Sequence, residues 1–305
     1  MAAPGVAGLA CPNCGAAITI RALQQTQTVV CPSCHAVLDS RDQQLRVLQQ
    51  FQAQMRFAPE IELGTRGMLR GDPYEVSGFQ VRTVRQDHTE YFWRVYTLWN
   101  PYKGYRHLME YDGHWCDFTV SRIAPSELVS GRQPYVTYDG TMFQHFRTTT
   151  VTTEFILGEF PWEIRSGDRF TMREFVAPPR MLAEEVTPAA TVWTLGHYLE
   201  PGMVAHAFKL TDRPQAPKGI FPCQPDPYPA RRNRRLRLAI AAAIPIVFAL
   251  LLRRVWELYN GLLATPWPYV ALLAACAAPP FLADRAATRF ERERWAASDY
   301  APDED

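Results

Sequence analysis

Two short motifs, Cys11-Pro-Asn-Cys14 and Cys31-Pro-Ser-Cys34, stand sixteen residues apart and constrain this 305-residue chain more than anything else in it. That spacing fits the four-cysteine metal pattern. A tetrahedral zinc ion takes four thiolates at about 2.3 Å, and a two-residue turn lets both sulfurs of one motif face the same ion. Gly15 suits the tight backbone after the first motif, and ITIRAL (18–23) and TQTVV (26–30) read as two short strands joining the two motifs. The expectation is a zinc ribbon over 1–40, with Cys11, Cys14, Cys31 and Cys34 holding a structural Zn2+. The ion would supply most of the folding energy of a unit too small for its own core. A redox dithiol or two disulfides are the rival readings, and paired motifs at this spacing favour the metal. His35 directly follows Cys34 and could replace it, but four cysteines already complete the set.

Many ribbons bind nucleic acid. This one carries a single arginine, Arg21, and no lysine in its first 40 residues, and the whole chain has a net charge of +1 from 32 basic and 31 acidic residues. A phosphate-binding surface needs several cations, so a nucleic-acid partner is not expected. The other cysteines, Cys116, Cys223 and Cys276, are isolated. Cys116 shares a strand face with His114 beside Trp115, which reads as a half-buried strand with a satisfied histidine. His107, His145, His197 and His206 form no ligand pattern. No Gly-rich phosphate loop, G-x-S-x-G or H-E-x-x-H motif is present. Nothing points to an enzyme.

Residues 42–57, DQQLRVLQQFQAQMRF, lack Pro and Gly and place Leu45, Leu48, Phe51 or Gln52, and Met55 near helical spacing. This predicts a connecting helix within 41–58. From there the pattern changes to runs rich in Val, Thr, Tyr, Phe and Trp, such as YEVSGFQVRTV (74–84) and YFWRVYTLW (91–99). Turn signals recur between them, with Asp112-Gly113 and Asp139-Gly140 placed as hairpin turns. The chain is therefore expected to be mainly β, with a β-barrel or sandwich-like domain over 59–210; two similar halves (60–125 and 134–208) remain an option. The aromatics Trp93, Tyr96, Trp99 and Trp115, with Trp162, are the candidate binding surface. Core and cross-strand packing is the competing use of such residues.

Residues 211–230 hold six prolines and predict a semi-rigid spacer. Beyond it lie LAIAAAIPIVFALLL (238–252) and LLATPWPYVALLAACAAPPFLA (262–283), neither with a charged side chain. A bilayer core needs about 20 helical residues. The second run qualifies, and the first needs its flanking Arg237 and Arg253 to snorkel. Five arginines precede the first run and four follow the second, against two in the connection. Arginine bias then places both termini in the cytoplasm. The expectation is a two-helix transmembrane hairpin over 236–284 in a bacterial inner membrane, with a charged cytoplasmic tail at 285–305. A buried helical hairpin in a soluble core is the alternative. The mean hydropathy of −0.20 hides these runs beneath a polar body.

YFWRVYTLWNPYKGYRHLMEYDGHW (91–115), LGEFPWEIRSGDRFTMREFVAPPRMLAEE (157–185) and GTRGMLRGDPYEVSGFQVR (64–82) together resemble the domain of unknown function 4178 family over about 60–208. The resemblance implies a bacterial protein of β-rich fold. Such domains occur with zinc ribbons, membrane segments and membrane-linked systems, including polyamine aminopropyltransferase-like genes. It supplies no catalytic residues. The expected function is a membrane-anchored cytoplasmic adaptor that recruits or senses another protein. The alternative is an enzyme or small-ligand binder, for example of polyamines, that uses the aromatic β domain.

Overall fold

The computed structural model describes residues 7–22, 25–42, 44–50, 57–86, 89–210, 215–228, 242–251, 253–254 and 282–301. The chain divides into two units, one of residues 1–224 with 298–300 and one of 225–297 with 301–305.

The first unit opens with a hairpin of β1 (Ala7–Ala10) and β2 (Ala17–Ile20), followed by β3 (Thr28–Val30), β4 (Val37–Asp39) and β5 (Val47–Gln49). Its body contains β6 (Arg66–Leu69), β7 (Asp72–Gln86), β8 (Thr89–Asn100), β9 (Gly104–Tyr111), β10 (His114–Val120), β11 (Tyr135–Tyr138), β12 (Thr141–Phe160), β13 (Arg169–Ala177), β14 (Arg180–Val186) and β15 (Thr191–Leu199). It ends in helix α1 (Pro201–Phe208). Both predicted hairpin turns are present. Asp112-Gly113 and Asp139-Gly140 each have positive φ at both residues, which matches the right-handed twist of the flanking strands.

Strands β7, β8, β9, β10, β15, β14, β13 and β12 pair antiparallel in that order, and β12 pairs back to β7. This is one closed eight-stranded barrel and not two halves. The pairing that leaves β12 at Gly158 runs through Gly78, Thr97, His107, Phe118, Gly196, Met181 and Val176 and returns to β12 at Gln144. So large a stagger tilts the strands and widens the interior.

Side-chain contacts show which face is inside. Arg82 on β7 reaches Glu185 on β14, and its guanidinium lies 4.9 Å over the Phe170 ring on β13. Two strands separate β7 from β14, so the pair meets only across the lumen. Val84, Trp93, Val95, Val151, Phe170 and Met172 line the same face as an apolar inner cluster. The opposite face carries the larger outer cluster, with Phe79, Tyr96, Leu98, Trp115 and Phe155 packed beneath Val204 and Phe208 of α1. Strand β8 is thus buried on both faces, which explains its nearly continuous apolar sequence.

The ribbon is part of this sheet. Strand β3 pairs with the end of β12 through Glu159↔Val29 and Phe160↔Thr28. Val30, Val37, Ile156, Phe160 and Ile164 form a shared core across the seam.

The connecting helix expected within 41–58 does not form where the structure is described. Val47–Gln49 is strand β5, paired to β4. The open edge of β4 offers unpaired N–H and C=O groups, and pairing them outweighs helical spacing. A turn held by Gln44 N donating to Asp42 Oδ1 (2.8 Å) then buries Leu45 in the ribbon core. Residues 51–56 lie outside the described residues.

Within the proline-rich 211–230, the described residues from Gln215 to Cys223 are docked. Phe221 and Cys223 are buried, Lys218 N donates to Asp112 O (2.9 Å), and a Cβ on Gly113 would lie 2.7 Å from Gln215 O. A chain already stiffened by proline loses less entropy on docking.

In the second unit, residues 242–251 and 282–295 are helical. Among the described residues no helix is long and apolar enough to cross a membrane. Most of the expected hairpin, 229–241 and 255–281, lies outside them. The tail expected at 285–305 is helical to 295, and its Ser298–Tyr300 belongs with the barrel unit.

Candidate functional site

The four cysteines converge as the sequence predicts. Their sulfurs lie within 4.8 Å of one another, with Cys11 Sγ to Cys34 Sγ at 3.7 Å and Cys14 Sγ to Cys31 Sγ at 3.6 Å. Four thiolates around a tetrahedral ion with bonds of about 2.3 Å stand roughly 3.8 Å apart, so the set fits a metal. The two turns are built alike. Gly15 N donates to Cys11 O (2.8 Å) and His35 N to Cys31 O (3.0 Å), with positive φ at both Gly15 and His35. His35 therefore occupies the turn position that Gly15 fills in the first motif.

Burial pushes the Cys11 thiol up and the Cys31 thiol to about 12. Burial opposes ionisation of Cys34 as well, but Asn13 Nδ2 donating at 3.3 Å, the Ala36 N–H and the neighbouring thiols bring it down to about 6. A bound cation would favour the thiolate form of all four.

Glu159, at the end of β12, fastens this centre to the barrel. Its buried carboxylate accepts from Arg21 N (2.9 Å), Ala22 N (3.3 Å) and Thr26 Oγ1 (3.2 Å), and it pairs with the Arg21 guanidinium (3.2 Å). Motif reasoning missed Glu159, because its role depends on residues more than 130 positions away.

The five aromatics of the candidate surface are not brought together. Trp93 and Trp99 are buried on the lumen-facing side of β8, and Tyr96 and Trp115 stack with centroids 5.9 Å apart in the outer cluster. Alternation along β8 sends neighbours to opposite faces. Trp162 is half-buried and stands edge-on to His107 at 5.4 Å. Trp93, Tyr96, Trp99 and Trp115 are buried and divided between the two faces of the wall, so the five do not form one surface.

Cys116 and Cys223, read as bystanders, meet with sulfurs 3.5 Å apart beneath the docked proline-rich segment, both reduced. His114 beside them is satisfied, with Nδ1 3.0 Å from Tyr198 Oη and Nε2 3.0 Å from Lys218 O.

Inside the barrel the structure adds a polar group that scattered acids and bases did not reveal. Arg82 pairs with both oxygens of Glu185 (2.5 and 3.3 Å), and its Nε donates to Gln80 Oε1 (3.2 Å). Burial, with Arg82 nearby, pushes His107 down to about 4 and keeps it neutral. The only sequence signal is a polar residue alternating with apolar ones on a strand.

No curated protein and no solved structure matches the chain. Residues 62–201, which span the barrel wall from before β6 to the start of α1, match the model of a domain of unknown function (DUF4178).

Proposed function

We propose that this chain is a membrane-anchored adaptor of the bacterial inner membrane, zinc-stabilised, with its N- and C-termini in the cytoplasm, acting through contact with another protein and not by catalysis. The observation that carries this reading is the surface around 120–129. It leaves Ile123 71% exposed, with Val120, Leu128 and Val129 also open to solvent. Apolar residues gathered on one exposed segment fit a protein-contact site. The non-catalytic part rests on the acids. Among the described residues the buried carboxylates Asp39, Glu110, Asp117, Glu159, Glu174 and Glu184 each meet an arginine, which leaves none as a ready general base.

Zinc is the metal proposed, since four thiolates in tetrahedral reach suit it and a reducing cytoplasm keeps them available. Anchoring rests on the two apolar runs and their arginines. The docking of Ser298–Tyr300 on β12 supports both ends sharing one compartment: Asp299 N donates to Phe146 O, Thr148 N to Asp299 Oδ2, and Tyr300 Oη lies 2.8 Å from His145 Nδ1.

The test is a photo-crosslinker at position 123 in membranes. One partner protein should be captured, and Ile123→Asp in combination with a crosslinker at 128 should lose it. Deletion of 236–284 should move the protein to the soluble fraction, and a protein that stays with membranes after that deletion counts against the anchor.

A second reading, a small-ligand binder, is favoured by the polar group inside the barrel. A polycation such as a polyamine fits it poorly, because Glu185 and Glu174 on the lumen face are already paired with Arg82 and Arg147.

A further inference from the structure

The lumen contains hydrogen-bonding groups that the protein itself leaves unused. Gln80 Nε2, Thr97 Oγ1 and His107 Nδ1 are buried and have no hydrogen-bond partner. They are neighbours on one face. Thr97 and His107 are directly paired across β8 and β9, and Gln80 pairs with Val95, two residues along β8 from Thr97. Buried donors and acceptors are satisfied in the great majority of cases, so three orphans side by side call for an occupant. The Gln80 amide is fixed by its neighbour: Arg82 Nε donates to Gln80 Oε1, so the amide N–H2 is what Gln80 presents to the space beyond.

The inward face of β9 is not fully closed. Tyr105, His107, Met109 and Tyr111 all point inward from β9 and all keep partial exposure, whereas inward-facing Gln80 and Thr97 are fully buried and Cys116 is covered by Cys223 of the docked proline-rich segment.

We propose that the barrel lumen binds a small uncharged ring carrying an amide or carbonyl, held by Gln80, Thr97 and His107 against the apolar wall of Trp93, Val95 and Met109. This deepens the ligand-binding reading of the barrel and rests on it. The charge state of the guest follows from Arg82 and Glu185, which neutralise each other and leave no counter-ion for a charged ligand in a low-dielectric interior. The hydrogen-bonding pattern follows from the donors. Gln80 offers an N–H, while the Thr97 hydroxyl and the neutral His107 ring can each donate or accept. An amide, with its paired acceptor and donor, satisfies this set. Trp93 and Val95 belong to the inner apolar cluster, with Met109 packed against it, and supply the flat apolar contact.

The test uses the full chain, purified in detergent with its metal. One portion is denatured and its released small molecules are identified by mass spectrometry. Another is titrated by calorimetry with nicotinamide, uracil, benzoate and putrescine. The expected result is release of an uncharged amide-bearing compound, or binding of nicotinamide or uracil. Thr97→Val and Gln80→Leu should each weaken that binding at least about tenfold without lowering the unfolding temperature, since each removes an unsatisfied polar group. Binding of benzoate or putrescine alone overturns the uncharged class while leaving a ligand-binding barrel. Affinity unchanged in both variants overturns the placement. No released compound and no binding by any of the four overturns the binder reading itself.

Discussion

The ribbon and the barrel are both antiparallel β structure, sewn together at β3 and β12, yet they are held by different forces. The barrel closes its hydrogen bonds on itself and buries aromatic residues on both faces of its wall, so no edge of the ring is left unpaired. The ribbon has strands of three or four residues and an aliphatic core of Ile18, Ile20, Val29, Leu38 and Leu45 around Cys11 and Cys31, without aromatic residues. Its geometry converges on a point where four sulfurs fit around a cation. The lesson is that length of wall substitutes for metal. A sheet that closes can carry polar groups such as Arg82 and Glu185 inside, whereas a three-stranded fragment needs a cross-link.

Removing the metal should separate the two most sharply. Structural zinc binding is worth about 10–16 kcal/mol in small zinc domains, so chelation or Cys31→Ser should erase amide-exchange protection over 7–40. Protection of β8 and β9 should persist. Equal loss in both regions would show that the barrel depends on the ribbon.

Next in size is the outer cluster. Trp115 is 1% exposed and stacked on Tyr96, and Trp115→Ala should cost about 3–5 kcal/mol of barrel stability in denaturant unfolding. Metal content should stay unchanged. At the seam, Glu159→Ala leaves Arg21 without its buried partner and strips acceptors from Ala22 N and Thr26. Arg21 keeps Glu75 (2.7 Å), so a loss of about 1–3 kcal/mol from the unsatisfied N–H groups is expected, with exchange protection falling first in β3.

The pH response should come from the lumen. His107 has a folded-state value of about 4, below its ordinary 6.5, through burial and Arg82, with Glu185 and Asp117 opposing weakly. The unfolded chain therefore binds the extra proton first. Stability should hold above pH 6.5 and fall as pH drops toward 4, by up to about 3 kcal/mol. His107→Leu should reduce that slope, the remainder coming from His114, His145 and His197, which burial also holds down; an unchanged slope would place the sensitivity in those three.

The smallest effect is at a turn. Gly140 has φ +68° with open space around its Cβ position, so Gly140→Ala should cost only about 1–2 kcal/mol of strain. Gly158→Ala should cost more, because its Cβ would meet Ser77 O at 2.3 Å beside the seam.

The four-cysteine cluster was legible in the sequence because its geometry is local. Two turns of four residues each carry their own geometry, and their spacing sets the loop between them. The hairpin turns at Asp112-Gly113 and Asp139-Gly140 were legible for the same reason. The segment 42–57 misled because helical spacing of Leu45 and Leu48 says nothing of an open β4 edge nearby. The aromatics misled in another way. Trp93, Tyr96, Trp99 and Trp115 were grouped by closeness in sequence, and a strand covered on both sides sends adjacent residues to different cores. Glu159, Gln80 and His107 carried no motif, since each acquires its role from strands far away in the chain.

The sequence by itself determined the four-cysteine centre, the β character of the body and its tight turns, because backbone preference and ligand spacing act over a few residues. Only the tertiary structure decided that the strands close into a single barrel, that the ribbon is welded to β12, and that the proline-rich segment docks. It alone turned Arg82, Gln80, Thr97 and His107 toward one lumen. Closure and register depend on pairings between distant strands, and a one-residue change of register would have sent those same side chains to the opposite face.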